Sequence, residues 1–471
     1  MSESNDVCRP RVAVVGGGLL GMTMALRLAQ AGAAVTLYER HHQAGGLAAG
    51  SSFGPYRWDR FYHVILLSDL RTRGLLAELG LSGQLRWGVT RTGFYTDGNL
   101  YSMSNAIEFL RFPPLGLIDK LRLGATIFFA SRVEDPRPLE QMLATDWLGR
   151  WSGRRVLERI WLPLLKSKLG ENYRIASAAF IWAIIARMYA ARRSGIKREM
   201  FGWIDGGYEL LIDHLNAALQ AAGVTCEYGA RIHAVPRSEQ GARVRLEDGS
   251  EQEFDAAVLT TPPRISAALC PDLPAESGAR LRDVPTQGVI CASILTREPL
   301  SPYYVTNITD RWVPFTGVIE MTTLVDRSVF GGHNLVYMPL YLPVEDPAWN
   351  EPDEVLRERF LAALEKMYPH FHREQVLDFS VSRARNVLAV STLDYSNSVM
   401  PAVRADDSAR WFISGARIAY GTLNVNETLG LVEAELPALL KDLGLNPRGG
   451  ARAAASPQKA SSTTTTTVGV A

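Results

Sequence analysis

Apolar runs and glycine turns alternate at the start of the chain. Val12-Ala13-Val14-Val15 shows no polar alternation, the pattern of a parallel strand covered on both faces. Gly16-Gly17-Gly18 follows, then a helical stretch from Leu19 to Ala31 and a second apolar run ending on Glu39. From Leu66 to about Met200 the spacing turns helical. Leu75–Leu79, Leu115–Ala130 and Ala176–Ala191 are apolar at helical intervals, with Pro113-Pro114, Pro136 and Pro138 as breaks. Asn99-Leu100-Tyr101 after Thr96-Asp97-Gly98 predicts a small hairpin there. A helix over Glu209–Ala222 comes next, then a hairpin joining Arg243–Leu246 to Gln252–Phe254 through Asp248-Gly249, and a buried strand over Asp255–Pro263. Beyond Pro285, strand-like runs (Gly288–Leu295, Leu335–Leu342, Val376–Ser382) surround one helix, Pro352–Lys366, with Asp353 suited to its N-terminus. A last apolar strand at Arg410–Ile413 passes Gly415 and enters a helix that Asn424 or Asn426 can cap.

The opening stretch has a chemical reading. Gly16 makes a tight turn, Gly18 removes the Cβ that would hold a pyrophosphate off the backbone, and Gly21 lets the helix sit close to the sheet. The N–H groups at Leu19 and Leu20 then open toward a diphosphate with the positive end of the helix behind them. Glu39, at the tip of the second strand, is placed to accept hydrogen bonds from a ribose diol. Strand, turn, helix, strand and acid in that order predict dinucleotide binding. The expected fold is α/β: a Rossmann-like domain built from discontinuous segments, with an interleaved substrate domain of mixed sheet plus helical cap. Residues 8–66, 201–270 and 408–446 are assigned to the first, 67–200 to the cap and 271–407 to the substrate sheet.

Composition narrows the classes. The chain of 471 residues carries a formal net charge of +1, with no basic stripe of the kind nucleic-acid binders show. Four scattered cysteines (Cys8, Cys226, Cys270, Cys291) form no CxxC pair, so neither a zinc site nor a disulfide framework is expected. The start lacks an apolar signal core, and no apolar run reaches the length of a membrane span, so the cytoplasm is the expected compartment. One stretch has two readings: Ala178–Tyr189, apolar with Arg192-Arg193 at its end, suits a buried cap helix with solvated arginines and leaves peripheral membrane contact open. Residues 447–471, rich in alanine, serine and threonine, are expected to be a disordered tail.

A second glycine pair, Gly45-Gly46, stands soon after Glu39 and Arg40. The fingerprint, the acid and this pair together resemble the flavin-containing amine oxidase superfamily, which includes protoporphyrinogen oxidase, phytoene desaturases and, more distantly, UDP-galactopyranose mutase. That resemblance implies FAD as cofactor. It implies that Glu39 holds the adenosine ribose with Arg40 beside it in the cofactor site, that Gly45-Gly46 lines the pyrophosphate and ribityl chain, and that the backbone of Ile232 meets the adenine. Gly415 and the turn Leu423-Asn424-Val425 would face the flavin pyrimidine, where aimed N–H groups stabilise the reduced anion.

The chain also departs from the family pattern. Leu47 stands where many relatives have arginine, so a phosphate contact is lost and backbone contacts must suffice. Phe61-Tyr62-His63 replaces a Gly-Pro-His type sequence beside the flavin ring, leaving Tyr62 and His63 as flavin-facing candidates beside a plain structural reading of the histidine. Cys291 falls where amine oxidases carry a lysine that holds a water, and reads as a small buried residue rather than a nucleophile. Ala416-Arg417, with Tyr420 nearby, is closer to the mutase pattern. Three functions therefore stand: an FAD-dependent dehydrogenase acting on a lipophilic or polycyclic small molecule, a non-redox sugar-nucleotide mutase, and a non-catalytic flavoprotein. No metal is implied, and neither substrate nor oligomeric state can be read.

Overall fold

The computed structural model describes residues 9–192, 200–420 and 424–446. Leu423 and the stretch 447–471, both subjects of expectations above, lie outside the described residues.

The strand Arg11–Val15 is central because its side chains are apolar on both faces, and Val12, Ala13 and Val14 are fully buried. It pairs in parallel with Ala34–Glu39 on one side and Ala256–Leu259 on the other. Thr225–Tyr228 and Arg410–Phe412 complete a five-stranded parallel sheet at its two edges. The helices Leu19–Ala31, Gly207–Ala221 and Val425–Asp442 cover one face through Met22, Leu26, Leu211, Leu215 and Val432. The antiparallel layer of Ile232–Ala234, Gly241–Leu246 and Glu251–Phe254 covers the other through Val244 and Phe254. The strands of one sheet thus come from widely separated parts of the chain, as mixed α/β folds of this kind require.

A second, seven-stranded sheet runs in the order Val376–Ala389, Thr286–Thr296, Asn334–Pro343, Gly317–Glu320, Val305–Ile308, Thr92–Thr96, Asn99–Ser102. Period-two alternation sorts its faces. Ile290, Ala292 and Ile294 pack on the helix Asp353–Met367, while Val289, Cys291 and Leu295 face Phe53, Trp58 and Phe61. Here the structure corrects the expected division. The hairpin Thr92–Ser102, assigned to the helical cap, is an edge of this sheet, with Thr92–Thr96 parallel to Val305–Ile308. Its threonine and aromatic side chains suit a pleated surface, but its partner lies far along the chain.

The cap runs through short helices from Ala106 to Arg192. Leu85–Val89 pairs with Met200–Ile204, so strands flank the excursion on both sides. The helix Ala178–Arg192 follows the buried of its two readings: Ala178, Ala179, Phe180, Ile181 and Ile185 lie in the cap core with Trp147, Leu148 and Leu165, so this face is spent on packing. No helix among the described residues is long and apolar enough to cross a bilayer.

Candidate active site

Two backbone turns meet at the carboxyl end of the parallel sheet. Gly16 has φ +111°, a conformation side chains rarely adopt, and its N–H donates to the Tyr38 carbonyl at 2.8 Å. A Cβ on Gly21 would lie 1.9 Å from the Gly16 carbonyl oxygen, so turn and helix close on each other only with glycine there. No side chain caps the helix Leu19–Ala31, and the first N–H to bond back along it is that of Met22, to Gly18. Glu39, almost fully buried, lies across the turn: its carboxylate accepts Gly17 N–H at 2.8 Å and His41 N–H at 2.9 Å. A carboxylate has about four lone-pair positions, so acceptor capacity remains on Glu39.

The second glycine pair is locked against the first. Gly45 N–H donates to the Gly17 carbonyl at 2.7 Å, and Gly45 and Gly46 have φ +114° and +57°. A Cβ on Gly18 would meet no protein atom nearer than the Cα of Gly46, at 3.9 Å. The two turns thus face each other without side chains, leaving an open cradle. Leu47 turns into the aromatic cluster, and Arg40 is exposed with its Nε on His41. Ile232 follows Gly229 and Ala230, whose N–H groups donate to the carbonyls of His41 and Glu39, so this segment runs beside the acid.

Two cations reach this region that sequence reasoning missed. Arg60 donates to the Gly46 carbonyl at 2.7 Å, and its Nε is buried without a partner. Burial pulls its guanidinium pKa below the usual value. An arginine at the end of the next hairpin thus lies against the glycine pair that precedes Leu47. Lys168, from the cap, donates to the Tyr341 hydroxyl at 3.3 Å and stands 4.7 Å from that ring's centroid. Neither could be found by spacing, since each reaches its place through tertiary contacts.

Comparison with known proteins decides the family. The model for "Flavin containing amine oxidoreductase" matches residues 21–423. The chain belongs to the flavin-containing amine oxidoreductases. It is 27% identical over 274 residues to coproporphyrinogen III oxidase of Mycobacterium tuberculosis, covering 54% of this chain and 59% of that one. It is 23% identical over 283 residues to 4,4'-diapolycopen-4-al dehydrogenase of Metabacillus indicus, covering 53% and 55% respectively. The alignments thus span well under two thirds of these curated relatives. In fold it is similar to reduced UDP-galactopyranose mutase, with a TM-score of 0.71 at 14% identity over 93% of this chain and 98% of that one.

The residues of this flavin oxidoreductase fit the family's cofactor class. An open cradle between glycines, an uncapped helix N-terminus and a buried guanidinium nitrogen without a partner are what a phosphate-bearing ligand fills. Beside the cradle lies a buried aromatic core of Phe53, Trp58, Phe61, Phe201, Tyr304 and Tyr337, against which Leu47 packs. Tyr62 shares a 2.8 Å hydrogen bond with Tyr341 at the edge of this core, and burial, then Tyr341, pushes its pKa well above the ordinary value. His63 lies over Tyr208 at 4.8 Å between ring centroids, with Nδ1 3.7 Å from Asp59. Tyr420 is placed elsewhere, packed against the cap core near Glu140 and Ser396. Asn424, not Asn426, caps the last helix through Glu427 N–H at 3.1 Å, with Val425 packed on the core. Gly415 opens the turn that precedes it.

Proposed function

We propose that the chain is an FAD-dependent dehydrogenase or oxidase of a lipophilic or polycyclic small molecule. The single observation that carries this reading is the juxtaposition of the paired glycine turns with Arg60, whose buried Nε has no partner, beside an aromatic core. Gly16, Gly18, Leu19, Leu20, Gly21, Gly45, Gly46 and Arg60 would hold the pyrophosphate, Glu39 the ribose and Ile232 the adenine. Gly415, Asn424 and Val425 would face the flavin ring. FAD, when bound, supplies a hydride acceptor.

The protein's own groups position substrate and exclude water. Burial pushes the Cys291 thiol up to about 12, so it stays protonated and is neither base nor nucleophile at neutral pH. Tyr62 stays protonated for the same reason and serves as a hydrogen-bond donor. Lys168, the cation at Tyr341, is placed to orient an electron-rich edge of the substrate. The names of the two relatives, an oxidase of a tetrapyrrole and a dehydrogenase of a carotenoid aldehyde, support a lipophilic or polycyclic class.

The mutase reading is less well supported. It needs a presented arginine, but Arg417 is held by Glu435 at 2.9 Å and by the Pro401 carbonyl at 2.6 Å. The deciding experiment is an anaerobic screen with tetrapyrrole, polyene, amine and sugar-nucleotide panels. Bleaching of the flavin band by a tetrapyrrole or polyene is expected. Activity on a sugar nucleotide only after dithionite reduction would replace this reading with the mutase.

Two variants probe the site. Arg60→Leu should weaken FAD binding by roughly tenfold to a hundredfold, the value of one charge-assisted hydrogen bond, while Arg40→Leu leaves it within about twofold. Titration of apoprotein followed by flavin fluorescence checks both. Cys291→Ala should retain activity, and the native thiol should resist iodoacetamide. Rapid alkylation of Cys291 in folded protein would refute its assignment as inert.

A further inference from the structure

The helix Leu117–Ala130 is apolar on both sides. Its inner side, including Leu123 and Ala130, is buried in the cap core, and Trp182 of the neighbouring helix donates to the Ala130 carbonyl at 3.0 Å. Its outer side carries Leu117, Ile118, Leu121 and Phe128, exposed by 66%, 68%, 64% and 53%, with Phe129 at their edge. With Gly124 and Ala125 these positions fall in one arc of about 140° along a helix of 3.6 residues per turn. A side facing water should be polar there, and this one has no polar side chain within the arc until Arg132.

The patch extends beyond the helix. Trp151 stacks on Phe129, 4.1 Å between centroids and 20° between planes, and is itself exposed. Ile107 and Leu110 on the preceding helix Ala106–Arg111 are exposed too, and the Leu110 carbonyl accepts a hydrogen bond from Lys120 of the long helix. Contiguous apolar exposure of this kind marks an interaction surface.

The rim is basic. Arg111, Arg122 and Arg132 are exposed, and none of them has an ion-pair partner among the described residues. Arg132 lies over the Phe128 ring at 4.7 Å. Of the acids here, Glu108 accepts from Ser102 and Ser104, Asp119 caps the helix at Gly116 and lies 3.5 Å from Arg155, Asp135 pairs with Arg137, and Glu134 is exposed beyond Arg132. An apolar face bordered by unpaired arginines is complementary to an anionic lipid surface, where the cations meet headgroups and the apolar side chains enter the acyl boundary. A second copy docking face to face would bring the same arginines together without counter-charge.

We propose that this face of the cap seats the protein on an anionic membrane, with the helix Leu117–Ala130 lying in the plane of the interface. The proposal is independent of cofactor and substrate, so it stands or falls apart from the catalytic reading. The test is co-sedimentation of the full chain with phosphatidylcholine vesicles, with and without phosphatidylglycerol. Binding should require phosphatidylglycerol and weaken with salt. L121S/F128S should lower partitioning roughly a hundredfold from lost apolar burial, and R111E/R122E should abolish the preference for anionic lipid. Because these side chains are exposed, circular dichroism should show both variants folded. V355S/L377S, removing exposed apolar side chains elsewhere, should bind like wild type. No sedimentation with either vesicle, or equal sedimentation of wild type and L121S/F128S, would overturn the proposal. So would a dimer in light scattering that only L121S/F128S dissociates.

Discussion

Gly18→Val should yield a folded protein that purifies without flavin. At this position a Cβ meets nothing in the protein nearer than the Gly46 Cα at 3.9 Å, so the added methyl groups project into the cradle between the two turns. The fold loses little. Gly18 sits at the helix N-cap with φ −73°, a conformation open to any residue, and replacing an N-cap glycine costs about 1 kcal/mol. Cofactor binding loses much more. Overpacking a close contact costs up to about 3 kcal/mol, roughly a hundredfold in affinity. Gly21→Val is the contrast, because its Cβ would strike the Gly16 carbonyl oxygen, so that variant should fail to fold rather than fold empty. Flavin absorbance against protein absorbance, with circular dichroism beside it, separates the two outcomes. A flavin-replete Gly18→Val protein would mean that the cofactor does not pass between the turns.

Arg410→Met should cost about 3 kcal/mol of stability, read as a shift in the urea unfolding midpoint. Arg410 is fully buried at the edge of the parallel sheet. It bonds to Asp272 at 2.5 Å, to the Val235 carbonyl at 3.0 Å, to Asp406 and to the Ser408 hydroxyl. Methionine leaves both carboxylates without their cation. Burial by itself raises the pKa of each acid. Hydrogen bonds outweigh it, from Arg237 N–H and Arg410 at Asp272 and from Ser408 and Arg410 at Asp406, and both end below the ordinary value. A depressed carboxylate pKa contributes stability above the unfolded value, about 3.9, and that contribution is lost as pH falls through the folded one. The deficit of the variant should therefore be full at neutral pH and shrink below about pH 4. A deficit that grows in acid would contradict this assignment.

The parts of the molecule legible in the sequence are those set by short-range geometry. The turn at Gly16–Gly21 and the helix Leu19–Ala31 follow from residues within one strand–turn–helix unit. Gly45-Gly46 reads as a close-approach motif because two positive-φ residues in a row leave glycine as the natural choice. What spacing could not supply are contacts closed by tertiary structure. Arg60 reaches the glycine pair because the hairpin folds it back onto the Gly46 carbonyl. Lys168 reaches Tyr341 from a helix of the cap. The strand ending at Ala389 extends past the expected Ser382, since Arg383 and Arg385 mask the alternation while pairing with Asp353 and lying over Trp349.

The two apolar cap helices make the same point in reverse. Ala178–Arg192 and Leu117–Ala130 are both apolar, and periodicity does not say which of them lies inside. The one with the basic end is packed in the core, and the other keeps an uncovered face. Tyr420, read as a flavin-facing candidate from its place in the chain, is drawn to the cap by Glu140 and Ser396.

We propose that the facing glycine turns, with Glu39 and Arg60, bind the ADP portion of a flavin dinucleotide. Calorimetric titration of the apoprotein should then show one-to-one binding of FAD and at least a hundredfold weaker binding of FMN and riboflavin, about 3 kcal/mol carried by the ADP moiety. Equal affinity for FAD and FMN, or no uptake of FAD by folded protein, would contradict it.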